Sequence, residues 1–405
     1  MIPGQRLHEQ TATPVAVLDD AAVRHNVQVM AEWCAQHGVE LAPHGKTTMT
    51  PELFRRQLAA GASAITAATP AQVRVMYAHE VRSVQMAAQL VQPREARWVA
   101  ERLAADSGFT FVSWVDSAAG IAILDQAAAG TGAVFDVLLE LGIPGGRTGC
   151  RTDDDCAEVL TAAQRSSNVR VIGVAGYEGT VAGDRGTASM DAVRAYLGRL
   201  RSLGERVGAG LDGPVMLSAG GSMYFDLVAD ELASGWGPGA ARVVLRSGCY
   251  VTHDHGLYHG NSPLDEPAVS PRLIPALTVW GTVLSRPEPD RAYLDVGRRD
   301  VSFDQGFPVP LRRLPGDSLD GDAQPLAATV TALNDQHAHL QLAPETTLDV
   351  GDRVEVGISH PCTTFDKWRQ LPLLDRDGVV LDVVSTHFGG GSCPTACTPT
   401  AARPR

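Results

Sequence analysis

Residues 63–89, SAITAATPAQVRVMYAHEVRSVQMAAQ, decide the fold. Two short runs, SAITAAT (63–69) and SVQMAAQ (83–89), flank PAQVRVMYAHE, whose apolar positions recur at three- and four-residue steps. Strand, helix, strand is a β-α-β unit, and units of this kind build parallel sheets. The rhythm extends from about Val39 to Gly248, with further strands at VELAPH (39–44), FTFVSWVD (109–116), AVFDVLLEL (133–141), VRVIGVAGYE (169–178), PVMLSAG (214–220) and ARVVLRSG (241–248). Helical patterns such as PELFRRQLAAG and SMDAVRAYLGRLRSLGERVG lie between them, several with glycine near the end. Eight strands predict a (β/α)8 TIM barrel. An open doubly wound sheet gives the same alternation, and the count favours the barrel.

The barrel does not use the whole chain. PVAVLD (14–19) is a ninth strand that would overfill it, so residues 1–20 are expected to pair with a second domain. After Tyr258 the helical rhythm stops. LIPALTVWGTVLS, AYLDVG, ATVTALND, HAHLQL, RVEVGISHPC and VVLDVVSTHF read as strands separated by Pro, Gly and Asp turns. The organisation read from this is a barrel over 21–260, a proline-rich linker HGNSPLDEPAVSPR, a smaller, mainly antiparallel β-domain over 261–388, and a disordered tail over 389–405.

Composition narrows the function. Hydrophobic residues are 44% and charged residues 20% of 405, which is the composition of a globular chain. With 34 Lys and Arg against 46 Asp and Glu, the net charge of −12 has the wrong sign for a nucleic-acid or anionic-membrane partner. No run approaches the ~20 apolar residues of a membrane span, and MIPGQRLHEQ lacks a secretory pattern, so a cytoplasmic protein is expected. Seven cysteines, an odd number scattered along the chain, suggest reduced thiols.

In a barrel the chemistry sits where strands end. The first strand ends in PHGKTT, which places Lys46 at the mouth; among apolar walls a lysine becomes a Schiff-base nucleophile, whereas most lysines are solvated. The chain has only one other lysine, Lys367. After the seventh strand, SAGGS offers Gly220, Gly221 and Ser222 at the start of a helix near Met223. That is a cradle for a phosphate, to which Tyr250 adds a second contact. Arg147 lies among the glycines of GIPGGRTGC, and Tyr177 in GYEGT is placed to flank an aromatic ring; a surface turn and a rim tyrosine are the ordinary alternatives. A lysine nucleophile, a phosphate cradle and an arginine around one mouth suggest pyridoxal phosphate. In the second domain, His360 and Cys362 stand two apart on the predicted strand RVEVGISHPC, hence on one face, as an imidazole and thiolate pair that suits zinc. Spacing alone leaves them equally open to being ordinary core. His253, Asp254, His255 and His259 in THDHGLYH either form a rival metal cluster or lie beside the substrate.

The segments TPVAVLDDAAVRHNV, PHGKTT, GGRTG, GYEGT, SAGGS, RSGCY and HPC, in this order, resemble those of the fold-type III pyridoxal-phosphate enzymes. These are the alanine-racemase-like barrels, and within them the match is to the D-serine dehydratase and D-threonine aldolase group, from Thr13 to about Phe388. The resemblance implies that Lys46 binds the cofactor and removes the α-proton, that Arg147 lies near the cofactor's phenolic oxygen, and that Tyr177 is in the pocket. It further implies that Gly220, Gly221, Ser222 and Tyr250 hold the phosphate and that zinc is bound through His360 and Cys362, where the aldolases usually have His-x-Asp. Zinc on the substrate's β-hydroxyl makes that oxygen a better leaving group, which implies a D-amino-acid dehydratase releasing a 2-oxo acid and ammonia, pyruvate in the case of D-serine. Retro-aldol cleavage, racemisation and non-catalytic cofactor binding are the alternatives. The group is usually dimeric. Many relatives continue the lysine motif as Lys-Thr-His-Lys, whereas Thr48 and Met49 follow Lys46-Thr47 here, which leaves the substrate open.

Overall fold

The computed structural model describes residues 1–389 apart from 267–268 and 317–322. The expected disordered tail therefore lies, from residue 390 on, outside the described residues. Strand β1 (Val15–Asp19) runs straight into helix α1 (Asp20–Gln36), where the Asp19 carboxylate accepts the Ala22 N–H at 2.9 Å and caps the helix. Alternation then follows: β2 (Glu40–Leu41), α2 (Pro51–Ala59), β3 (Ile65–Ala67), α3 (Pro70–Ala78), β4 (Ser83–Gln89), α4 (Pro93–Ala105), β5 (Thr110–Val115) and α5 (Ala118–Ala128). The second half is β6 (Phe135–Leu141), α6 (Asp153–Arg165), β7 (Val169–Gly176), α7 (Thr187–Gly208), β8 (Val215–Ala219), α8 (Phe225–Leu232) and β9 (Ala241–Leu245). Proline at the first turn starts α2, α3 and α4, and the Thr152 and Asp155 side chains form a capping box on α6.

β2 to β9 form one parallel sheet in the order β2-β9-β8-β7-β6-β5-β4-β3. Its two end strands are joined by Ser63 N–H to Leu41 C=O and Thr66 N–H to Pro43 C=O, both 2.8 Å, and by a bridge between His44 and Thr66, so the sheet closes on itself. All eight barrel strands read from the sequence are present, most of them shortened at their ends. At Gly173 the strands leave no room for a side chain, since a Cβ would lie 1.9 Å from the Met216 carbonyl oxygen.

The second sheet is built from β10 (Leu277–Glu288), β11 (Arg291–Leu294), β12 (Val309–Leu314), β13 (Gln324–Pro325), β14 (Ala328–Leu333), β15 (Ala338–Leu342), β16 (Arg353–Gly357), β17 (Gln370–Leu374) and β18 (Val380–Ser385), with a short helix α9 (Cys362–Phe365). Its pairs are antiparallel except for β1 with β17, and β1 lies in the middle of the order β13-β12-β16-β10-β1-β17-β18. The ninth strand of the sequence thus pairs where it was expected to. Two readings are corrected. RVEVGISHPC is a strand only to Gly357, after which the chain turns at Pro361 into α9; His360 and Cys362 are brought together by that turn and not by a shared strand face. β12, β13 and β17 were not read as strands at all.

One apolar core runs through both parts, from Met30 and Phe54 in the barrel helices to Leu277, Val356 and Phe365 beyond them. No helix among the described residues is long and apolar enough to cross a membrane. Asn26, fully buried in α1, pins the linker to the barrel: its Oδ1 accepts the Ile274 N–H at 2.8 Å and its Nδ2 donates to the Ile274 carbonyl at 2.7 Å. Asn26→Ala removes both of these part-buried bonds, so denaturant unfolding should show a loss of about 1 kcal/mol.

Candidate active site and metal centre

A cavity of about 620 Å³ opens at the C-terminal ends of the barrel strands, a size suited to a cofactor with a small substrate. Lys46, Arg147, Tyr177, Gly220, Gly221, Ser222, His360 and Cys362 all line it. Tyr250 does not. Its ring is buried in the core and its hydroxyl accepts from Gln57 Nε2 at 3.0 Å, so the expected side-chain contact to a phosphate is corrected: the turn that carries Tyr250 faces the cavity through Gly248 and Cys249 instead.

Lys46 stands in a single 3-10 turn, Gly45–Thr47, just after β2. The turn is pressed onto the core so tightly that a Cβ on Gly45 would lie 2.6 Å from Met76 Cε and 2.8 Å from Ile65 Cγ2, and this aims Lys46 outward. Its side chain is accessible from the cavity, whose walls also include Ala68, Ala87, Trp114 and Leu257. Lys367, the other lysine, does not line the cavity, so Lys46 is its one primary amine. His44, whose Nδ1 lies 3.1 Å from the Thr66 carbonyl, is driven well below the usual imidazole range by burial and then by the charges of Lys46, Arg246 and Arg147; it is a neutral wall beside the amine.

The glycine turn after β8 carries a second correction. Glu178, fully buried, accepts the N–H of Gly220 at 3.0 Å and that of Gly221, so the two amides expected to hold a phosphate already hold a carboxylate. That leaves Ser222 and the chain entering α8, which starts at Phe225 rather than near Met223, as the groups there that could meet an anion. Gly220 has a φ of +96°, and a Cβ on Gly221 would lie 2.9 Å from the Tyr177 ring, which explains why both positions need glycine. The Arg147 guanidinium sits 5.0 Å from the centre of the Tyr177 ring, and burial, reinforced by Glu178, pushes the Tyr177 phenol up to about 12. Arg151 fixes the loop that carries Arg147 by donating to the carbonyls of Gly146, Arg147, Thr148 and Gly149.

The floor is a buried arginine. Arg246 donates to Ser218 Oγ at 2.8 Å and to the Gly176 carbonyl at 2.6 Å, and lies 4.8 Å from the centre of the Trp114 ring. Trp114 lines the cavity too, and its buried Nε1 is an orphaned donor with no hydrogen-bond partner. Together with one amine, Arg147 and Ser222, this orphaned donor fits a phosphorylated carbonyl cofactor.

On the opposite wall, His360 Nδ1 lies 2.8 Å from Asp304 Oδ2, and Asp304 is itself held by Thr363 Oγ1 at 2.6 Å. That arrangement fixes the ring and leaves Nε2 for a ligand, as in carboxylate–histidine–zinc triads. Ligand atoms of Cys249, His360 and Cys362 lie within 4.8 Å of one another, and the Cys362 thiol is 3.4 Å from Thr47 Oγ1, one residue beyond Lys46. Imidazole and sulfur donors in this spacing fit zinc. The rival cluster is drawn together in part: His253 and His259 gather with Asp265 as a second set of donors within 4.8 Å, whereas Asp254 and His255 are used elsewhere. Asp265 Oδ2 meets His253 Nε2 and the Gly260 N–H, both at 3.0 Å, with His259 Nδ1 at 3.5 Å; Asp254 Oδ1 accepts the N–H groups of Gly256 and Tyr258, both at 2.9 Å. His255 lies against Gly357 in the second sheet and lines a separate cavity there.

Sequence reasoning missed Glu178, Arg246, Cys249, Tyr258 and Asp304. A charged residue ending an apolar strand is the signal that was present for Glu178 and Arg246; for the others there was none, because their partners are far away in the chain.

An alanine-racemase-type barrel with a lysine at its mouth and a metal pair from a following β-domain defines a class of pyridoxal-phosphate enzymes, and comparison with known proteins agrees. Residues 18–233 match the family "Alanine racemase, N-terminal domain" and residues 276–374 match "Putative serine dehydratase domain". The first match spans more than half of the chain, which therefore belongs to that family, the fold-type III pyridoxal-phosphate enzymes. The chain is 29% identical over 391 residues to a D-threonine aldolase of Arthrobacter sp, covering 94% of this chain and 93% of the relative. It is 26% identical over 388 residues to the D-threo-3-hydroxyaspartate dehydratase of Delftia sp. (strain HT23), covering 91% and 95%. Among solved structures, D-threonine aldolase from Filomicrobium marinum superposes with a TM-score of 0.78 at 23% identity, covering 95% and 98%. A metal-free form of a mutant D-threo-3-hydroxyaspartate dehydratase gives 0.74 at 22% identity, covering 95% and 100%.

Glu178→Gln replaces a doubly accepting carboxylate with a group that has one acceptor oxygen, leaving a glycine N–H unpaired. The expected result is a loss of about 2 kcal/mol in thermal or denaturant unfolding, accompanied by weaker retention of the cofactor on gel filtration.

Proposed function

We propose that the chain is a pyridoxal-phosphate- and zinc-dependent lyase that removes water from a β-hydroxy-D-amino acid and yields a 2-oxo acid and ammonia. The observation that carries this reading is the joint placement of Lys46 and the His360–Cys362 pair on one cavity, with Cys362 against Thr47. When bound, the cofactor supplies an electron sink for the substrate's Cα and zinc a Lewis acid for its β-hydroxyl.

The chain's own residues do the rest. Lys46 anchors the cofactor, and its Nζ takes the proton from the substrate's Cα. Arg147, which forms no ion pair among the described residues, lines the cavity and would meet the cofactor's phenolic oxygen or a substrate carboxylate. Ser222 and the start of α8 take the phosphate, and Glu178 keeps the preceding glycine turn in shape. His360 and Cys362 would hold the metal, which would act as a Lewis acid toward the β-hydroxyl. Tyr258 also lines the cavity, and burial together with the nearby thiols pushes its phenol well up, so that it would remain a hydrogen-bond donor there.

The substrate is a β-hydroxy-D-amino acid. D-serine is its simplest member, and the names of the relatives extend the range to threonine and 3-hydroxyaspartate side chains. The second reading is retro-aldol cleavage, favoured by the Arthrobacter relative; Cys362, in the place of a carboxylate, favours dehydration.

Incubating the enzyme with D- and L-serine, threonine and 3-hydroxyaspartate should release a 2-oxo acid from D substrates. Release should stop after chelation and return with zinc. Lys46→Ala should lower it at least ~10³-fold and abolish the visible cofactor absorbance. Glycine plus an aldehyde as the products would replace dehydration by aldol cleavage, and inversion of configuration that survives chelation would replace it by racemisation.

A further inference from the structure

We infer that Cys249 is a third protein ligand of the metal, so that the ion is held by two thiolates and one imidazole and keeps a single position for the substrate's β-oxygen. This rests on the metal-dependent reading above and extends it, since that reading assigns only His360 and Cys362.

The geometry is that of a chelate. Cys249 Sγ lies 3.5 Å from Cys362 Sγ. Two sulfurs bound at ~2.3 Å to one tetrahedral zinc lie ~3.8 Å apart, whereas a disulfide brings them to ~2.05 Å. The thiol is also fixed in place. Gly248, just before it, is packed so closely that a Cβ would lie 2.6 Å from Thr47 Oγ1 and 2.7 Å from the His44 carbonyl oxygen. Just after it, the Cys249 carbonyl accepts the His253 N–H at 2.7 Å. Asp304 holds the third donor, His360, by its other nitrogen.

The three donors come from both parts of the chain. Cys249 belongs to the turn after β9, while His360 and Cys362 precede and begin α9. A metal bound by all three ties the barrel mouth to the β-domain. Two thiolates also cancel the charge of a divalent ion and make the site soft, which selects zinc over magnesium or manganese. Three protein ligands with one open position is the arrangement of a catalytic zinc site.

The test uses the full-length holoenzyme with cobalt(II) in place of the native metal, because thiolate-to-cobalt absorbance in the near ultraviolet scales with the number of bound sulfurs. The wild type should show two-thiolate intensity. Cys249→Ser and Cys362→Ser should each about halve it, and Cys249→Ser should speed metal loss to a chelator at least ~10-fold, the least that losing even an outer-shell partner costs. Cofactor absorbance retained in Cys249→Ser shows that the fold is intact. Undiminished intensity and retention in Cys249→Ser, with both lost in Cys362→Ser, overturns the third ligand and leaves the proposed function standing. A Cys249–Cys362 disulfide in the native holoenzyme also overturns it. A wild type that binds no cobalt overturns both.

Discussion

The contact between the Cys362 thiol and the Thr47 hydroxyl, at 3.4 Å, sets the condition for everything else in the site. Thr47 is the neighbour of the cavity's one lysine, and Cys362 begins a helix more than three hundred residues later. A shift of the β-domain by the width of one side chain would separate the sulfur donors from the amine. The covalent path resists such a shift. β1 is laid between β10 and β17, with Val15 opposite Trp280 and Leu18 opposite both Leu277 and Leu373, and it continues without a break into the first barrel helix. The sheet that carries His360 and Cys362 is thus bolted to the barrel that carries Lys46.

Three charged groups around the barrel mouth are tied to the backbone. Glu178 holds two glycine amides, Arg246 a strand-end carbonyl and a serine, and Arg151 four consecutive loop carbonyls. Burying such groups is unfavourable unless every partner is in place, so they do little for stability and a great deal for uniqueness of shape. Burial lowers the pKa of Arg246 and raises that of Tyr177, which leaves the cavity lined by donors of fixed protonation around neutral pH.

The barrel was legible because its strands are short apolar runs and its helices announce themselves with proline starts and three-to-four spacing. The second sheet was less so. β17, QLPLL, contains Pro372, which argues against a strand, yet it pairs with β1 and β18. β12, VPLRRL, exposes Val309 and tucks Arg313 against Asp352 at 3.1 Å, so polar and apolar residues do not sort cleanly between its faces. His360 and Cys362 were found as a pair but placed on the wrong element, because Pro361 between them ends the strand reading and starts a helix. Lys46, Arg147, Tyr177 and Ser222 were found from their position after strands. The carboxylate under Gly220 and Gly221 and the sulfur of Cys249 depend on neighbours distant in sequence, and no local pattern encodes that.

The early strand at 15–19 has a consequence for how the molecule is made. Its partners are at 277–280 and 373–374, so during synthesis one edge waits for more than 250 further residues and the other for more than 350. The barrel's sequential β-α units are local and free to assemble first, while this strand, apolar and unpaired, is the segment most exposed to sticking to another nascent chain.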